Sequence, residues 1–219
     1  MQQAAVGAGE GEQMAATPLD AATDVLNRAY ALLDLDTEPQ PEAVRADVRR
    51  MALALGVAAL DTHLHWIIRR VEFKALPKSL AGLTVPFGDL VDMAATSVAA
   101  RKSGVQDRPN VRVRNALNEK LLTMTFQSAR QVEQALNMAG VERCWTKLAS
   151  AFHPPTTSST IKQKLDDLSH RRNKIVHEGD LRRLARPRTV THEPMDRRDV
   201  DMDLAWLNHF IAALDQVVR

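Results

Sequence analysis

A single cysteine, Cys144, serves the whole chain of 219 residues. That excludes an internal disulfide and any multi-cysteine zinc site, fits a reducing compartment, and leaves Cys144 to read as a small buried hydrophobe. Aromatic side chains are scarce too, with one Tyr, three Trp and five Phe, few enough to leave little for base stacking once the helix cores have taken their share. The longest apolar run, 51–60, is interrupted by Gly56 and falls short of the roughly 20 residues of a membrane helix. Residues 1–18 lack the basic start and apolar block of a signal peptide. Together these absences give the expectation of a cytoplasmic protein with no membrane partner. No strand pair with a hairpin turn, no glycine-rich phosphate loop and no internal repeat is visible. Net charge is only +2, so any site for a polyanion must be local.

What is present is helical periodicity. The length suits one core, read here as a single helical domain over 17–219 behind a disordered tail, 1–16, that holds Gly7, Gly9 and Gly11. Thr17 and Pro18 form an N-cap and first turn for a helix to about 35. A long second helix spans 41–75, its stripe running Val44, Val48, Met51, Leu55 and Ala58, then drifting to Leu60, Leu64, Ile67 and Val71. Gly56 within it marks a close helix approach or a bend. A loop at 77–87 precedes a helix at 88–102. The fours and threes between Leu117, Leu121, Met124, Ser128, Val132 and Leu136 predict one uninterrupted helix over 111–138. A short helix at 141–152 stops at Pro154 and Pro155, and 156–159 offers N-caps for the next helix, which Gly179 closes. An arginine-rich loop, 181–198, leads to a last helix at 200–218. The fold class is all-α, a bundle with a long second helix and short flanking helices.

The helix ending at Gly179 carries the sharpest feature. Ile161, Leu165 and Leu168 are spaced by four and three, and the series next lands on Arg172 and then Ile175. A guanidinium on an apolar stripe costs several kcal/mol unless something anionic meets it. Asn173 and His177, four apart, share the neighbouring face. A titratable imidazole, a fixed cation for phosphate and an orienting amide are the parts needed to cleave RNA without metal. In that chemistry a base deprotonates the 2′-hydroxyl, which attacks the adjacent phosphorus while a cation steadies the phosphoryl oxygens. Because acid and base are both needed and this site holds one histidine, two copies facing each other would complete it. Arginine followed by histidine is a loose pattern, met again at Arg186 and His192, and a structural helix-capping ion network is the competing explanation.

The residues Leu165, Asp166, Asp167 and Leu168, followed by Arg171, Arg172, Asn173, Lys174, Ile175, Val176, His177, Glu178, Gly179 and Asp180, resemble the signature of HEPN domains, most closely the RiboL-PSP-HEPN group. Ala59, Leu60, Asp61, Thr62, His63, Leu64 and His65, and the run Met124 to Gln127, are similar to that group as well, so the likeness covers about 45–180. The resemblance implies a HEPN-like helical bundle, commonly homodimeric, and a metal-independent ribonuclease in a toxin–antitoxin, antiphage-defence or RNA-processing setting. By position it implies Arg172 and His177 as the catalytic pair and Asn173 as their polar neighbour. Some relatives have a tyrosine three residues after the histidine that a partner nucleotidyltransferase modifies. This chain has Asp180 there.

Asp61, His65 and Arg69 recur every four residues and are candidates for a second wall of the cleft, against the alternative of a solvated ion-pair ladder. Arg171, Lys174, Arg182 and Arg183 are candidate substrate contacts, the last two within the loop that follows the site. No compact third metal ligand accompanies the histidines, so neither metal nor other cofactor is expected. The leading expectation is an endoribonuclease acting on RNA as a homodimer, with an antitoxin or defence protein as a further partner. The alternative is a non-catalytic helical module that binds RNA or another protein, its Arg172 neutralised by Asp166 or Asp61.

Overall fold

The computed structural model describes residues 15–84, 86–103, 109–183, 185 and 188–219. Of the tail expected at 1–16, residues 1–14 lie outside this set, as does Arg186. Nine α-helices follow one another among the described residues: α1 (Pro18–Leu33), α2 (Glu42–Arg69), α3 (Lys78–Ala81), α4 (Phe87–Lys102), α5 (Pro109–Leu122), α6 (Ala129–Met138), α7 (Cys144–Ala151), α8 (Ser158–Glu178) and α9 (Arg197–Val218). A single 3-10 turn sits at Phe73–Ala75. Among the described residues the only β-type pairing is an isolated bridge between Leu181 and His192, so the fold is all-α.

The bundle is organised around α2, which packs on α1, α5, α6, α8 and α9. Leu53, Val57, Leu60, Leu64 and Ile68 form its buried spine, and Ala52, Ala59 and Ile67 widen that to most of the circumference, as a central helix requires. By length and composition α2 could cross a membrane, but 61% of its apolar window is buried inside the bundle. The close approach expected at Gly56 is present: a Cβ there would collide with Leu204 Cδ2 and lie 3.2 Å from Leu207 Cδ1 of α9.

The first half of the α2 stripe departs from expectation. Val44 and Met51 are 46% and 54% exposed, whereas Arg49 and Arg50 are buried. Burial of these two guanidiniums is compensated by carboxylates from elsewhere in the chain. Arg49 donates to Asp36 through Nε at 2.6 Å and Nη2 at 3.0 Å, and this hydrogen bonding is the main reason the Asp36 carboxyl is held below its ordinary range. Arg50 reaches Asp180. Paired and hydrogen-bonded cations tolerate burial where lone ones do not, and the true inward face of α2 is rotated to carry them.

Three boundaries also differ. The second helix ends at Arg69 rather than 75. The helix expected over 111–138 is broken at 123–128 into α5 and α6, because Ser128 and Gln131 form a capping box and a distant carboxylate holds the turn from outside. The arginine-rich loop stops at 196: Asp196 caps α9 by accepting from the Arg198 N–H, so Arg197 and Arg198 belong to that helix.

Candidate functional site at the end of α8

Thr157 opens α8 by accepting from the Thr160 N–H, and Gly179 closes it in the left-handed region at φ 61°. Between them Ile161, Leu165, Leu168 and Ile175 are buried. At about 100° per residue Arg172 lies in the middle of that stripe. Its side chain is only half-buried, turned out so that Nη1 donates to Asn173 Oδ1 at 3.1 Å. Among the described residues Arg172 has no carboxylate partner. Asn173 and His177 are exposed, one turn apart on the adjoining face.

The two carboxylates that might have neutralised Arg172 are engaged elsewhere. Asp61 Oδ1 accepts from the Phe126 N–H at 2.6 Å and Oδ2 from Gln127 Nε2 at 3.2 Å, while Asp166 Oδ1 accepts from the Ala129 N–H at 2.9 Å. Together they hold the turn between α5 and α6. His65 packs against Phe126 with the rings tilted by 57° and their centroids 5.0 Å apart, its Nε2 lying 3.5 Å from Asp61.

Asp61 and Asp166 grip the same turn, so these levels of α2 and α8 coincide. Arg172 is six residues from Asp166 toward the Arg50 end, about 9 Å along the axis, whereas Arg69 is eight residues beyond Asp61 the other way, about 12 Å. The structure therefore places Asp61, His65 and Arg69 together on α2 but does not bring His65 and Arg69 to Arg172 within one chain. Arg69 leaves its buried Nε without a hydrogen-bond partner.

A clasp that sequence reasoning missed fixes the end of α8. Asp180 is fully buried, has φ 57°, and offers Oδ2 to Arg50 Nε at 2.9 Å and to Arg171 Nη2 at 2.8 Å. Arg50 also donates to the Glu193 carbonyl and Arg171 to that of Pro194. Lys174 Nζ lies 3.3 Å from Glu193 Oε1. Arg50 and Asp180 are 130 residues apart, and no local pattern announces such a pair. Asp180 is thus an interior structural carboxylate.

Adjacent arginines consequently have different roles. Arg171, about 100° round the helix from Arg172, is held by the clasp, and Arg172 is left uncommitted. The remaining proposed contacts are partly occupied: Arg182 Nε is 3.6 Å from Glu193 Oε2, and Arg183 donates to Glu178 through Nη2 at 2.5 Å and Nε at 3.1 Å. Arg197 supports the end of α1, donating to the Leu33 and Asp36 carbonyls. Among the described residues no group of three or more His, Cys, Asp or Glu is placed to hold a metal ion.

No protein-family model matches the chain, and neither does any curated protein or solved structure.

Proposed function

We propose that this chain is a metal-independent endoribonuclease of the HEPN type, acting as a cytoplasmic homodimer in a toxin–antitoxin or antiphage-defence setting. The observation that carries the reading is Arg172: a half-buried guanidinium, hydrogen-bonded among the described residues only to Asn173, five residues before an exposed imidazole on a capped helix end. A cation held by the fold and left without a counter-charge suits a phosphodiester whose charge grows in the transition state. His177 takes the 2′-hydroxyl proton, the 2′-oxygen attacks phosphorus in line, and Arg172, oriented by Asn173, binds the phosphoryl oxygens. The products are a 2′,3′-cyclic phosphate and a 5′-hydroxyl.

Self-association is supported by the exposed apolar residues beside the site. Val176 is 49% exposed and Met51 54% exposed, and Arg50, next to Met51, reaches Asp180 just beyond Val176. The two helices meet at that bond, and the reading has a twofold contact near these side chains gather Arg172 and His177 from both chains.

The alternative, a binding module without catalysis, draws support from the internal ion pairs that occupy Arg171, Lys174, Arg182 and Arg183 and leave few free cations for RNA. Incubating wild-type and His177→Ala protein with total RNA in chelator, followed by end-group analysis, separates the two. Cleavage that yields cyclic phosphate ends and disappears in His177→Ala supports the nuclease. RNA retention without cleavage supports the module.

A further inference from the structure

Transesterification of RNA has two proton transfers, and His177 can perform only one at a time. The 2′-hydroxyl must lose a proton, and the departing 5′-oxygen must gain one. α8 carries a second imidazole for this. His170 is seven residues before His177, two turns and about 10.5 Å along the axis, and the helical repeat returns it to within about 20° of the same direction. Both rings are exposed, as is Asn173 between them. The side chain of His170 makes no hydrogen bond or ion pair among the described residues. Arg172 stands between the two histidines in axial level but leaves the helix about 160° round from His170 and about 140° from His177, and its guanidinium extends toward their face only as far as Asn173 Oδ1.

Acidic and basic side chains face His170 from its own helix and from the neighbouring elements. On α8 it has Asp166 and Asp167 one turn before it and Lys174 one turn after. Asp166 faces the start of α6, where it accepts from Ala129 and where exposed Arg130 follows. Beyond Lys174 stand Glu193 of the loop and the Glu178 and Arg183 pair. Glu178 is held below the ordinary carboxylate range first by its hydrogen bond from Arg183, with His170 among the weaker contributors, so His170 is within electrostatic reach of the helix end.

We propose that His170 is a further catalytic residue, the general acid that protonates the leaving 5′-oxygen within the same chain as the base His177. This rests on the ribonuclease reading and deepens it. His177 accepts the 2′-hydroxyl proton as the bond from the 2′-oxygen to phosphorus forms. The bond from phosphorus to the 5′-oxygen breaks, and the His170 imidazolium delivers its proton to that oxygen. Exchange with water then restores neutral His177 and protonated His170. The phosphodiester spans the face with Arg172 on its non-bridging oxygens, each ring coming within about 3 Å of its own oxygen. A second copy then contributes a second guanidinium rather than the acid.

The test compares wild-type, His170→Ala, His170→Gln and His177→Ala protein on two short single-stranded RNAs in chelator. One has an ordinary linkage. The other has sulfur in place of the bridging 5′-oxygen at the cleaved bond, a leaving group that departs without protonation. On ordinary RNA both His170 variants should be slowed about 10²- to 10³-fold and should lose the fall in rate on the alkaline side of the pH profile. On the sulfur-bridged RNA they should cleave near the wild-type rate, a rescue that loss of mere structure does not give. Unchanged cleavage by His170→Ala, or equal slowing on both substrates, overturns the proposal and assigns the acid elsewhere, a second copy's His177 included. Loss of cleavage in His177→Ala alongside either result leaves the ribonuclease reading standing. Retained cleavage in His177→Ala, or none by wild-type protein, overturns both.

Discussion

Arg172 and His63 are polar side chains on apolar helix faces, and they resolve that conflict in opposite ways. Arg172 extends outward to Asn173 and keeps its charge accessible. Because no carboxylate depends on it, Arg172→Ala should change unfolding free energy by less than about 1 kcal/mol, while RNA cleavage falls about 10²-fold or more with the phosphate ligand gone. Arg172→Lys should fail nearly as badly, since a point charge does not replace a planar fork held by an amide. Denaturant titration beside a cleavage assay checks both. His63 remains inside. It is 0% exposed, neither ring nitrogen meets hydrogen-bond geometry with another described residue, and burial pushes its pKa below the ordinary 6.5 despite the nearby Pro18 backbone and Asp215 carboxylate. The unfolded chain therefore binds a proton that the folded one refuses. Stability should be fully present above about pH 6.5 and be lost as pH falls below it, with a slope approaching 1.4 kcal/mol per pH unit. His63→Leu should flatten that slope in denaturant midpoints measured from pH 7.5 to 5.

Among the elements, α2 and the end of α8 depend on each other through the buried Asp180 clasp. Replacing Asp180 with Ala leaves Arg50 and Arg171 facing an empty interior site. Breaking one side of a buried pair costs about 3 kcal/mol or more, so Asp180→Ala should unfold at a markedly lower denaturant concentration. Hydrogen exchange should then report early opening at 175–182. At the opposite contact, Gly56→Ala drives a methyl into Leu204 and Leu207. Overpacking of about 1–3 kcal/mol outweighs the gain of about 1 kcal/mol from helix propensity, and a net fall in Tm is the outcome to measure. These elements also show what a linear reading can reach. The all-α class followed from periodicity, which gave seven helices against the nine described, and α8 opens at Thr157, within the 156–159 stretch that offered its N-caps, and closes at Gly179. The break at 123–128 was hidden because fours and threes run straight through it. Ser128 and Gln131 were its local signal, but the deciding carboxylates, Asp61 and Asp166, come from other helices. Likewise α2 seemed to face inward through Val44 and Met51, since nothing near Arg49 and Arg50 reveals the distant carboxylates that let arginines take the interior. The position of Arg172 on the stripe was legible; its neighbour's capture by Asp180 was not, since that depends on contacts over a hundred residues away in sequence.

At the scale of the whole molecule, the small net charge of +2 offers little self-repulsion against association of two copies. In the proposed dimer the contact rests on the exposed side chains of Met51 on α2 and Val176 on α8. In sedimentation, the 24.3 kDa chain should run at twice its mass. Met51→Glu and Val176→Glu, each placing a charge on a surface that is already half open to water, should shift it to the monomer without altering the helical circular dichroism spectrum. If the dimer gathers guanidiniums from both chains, specific cleavage activity should fall steeply on dilution through the dissociation range of the wild-type protein, and be low at every concentration in the two variants. Full activity in a monomeric variant would show instead that one α8 face suffices. In that case Arg172, Asn173 and the imidazoles beside them make the site alone, and the exposed valine and methionine serve some other contact.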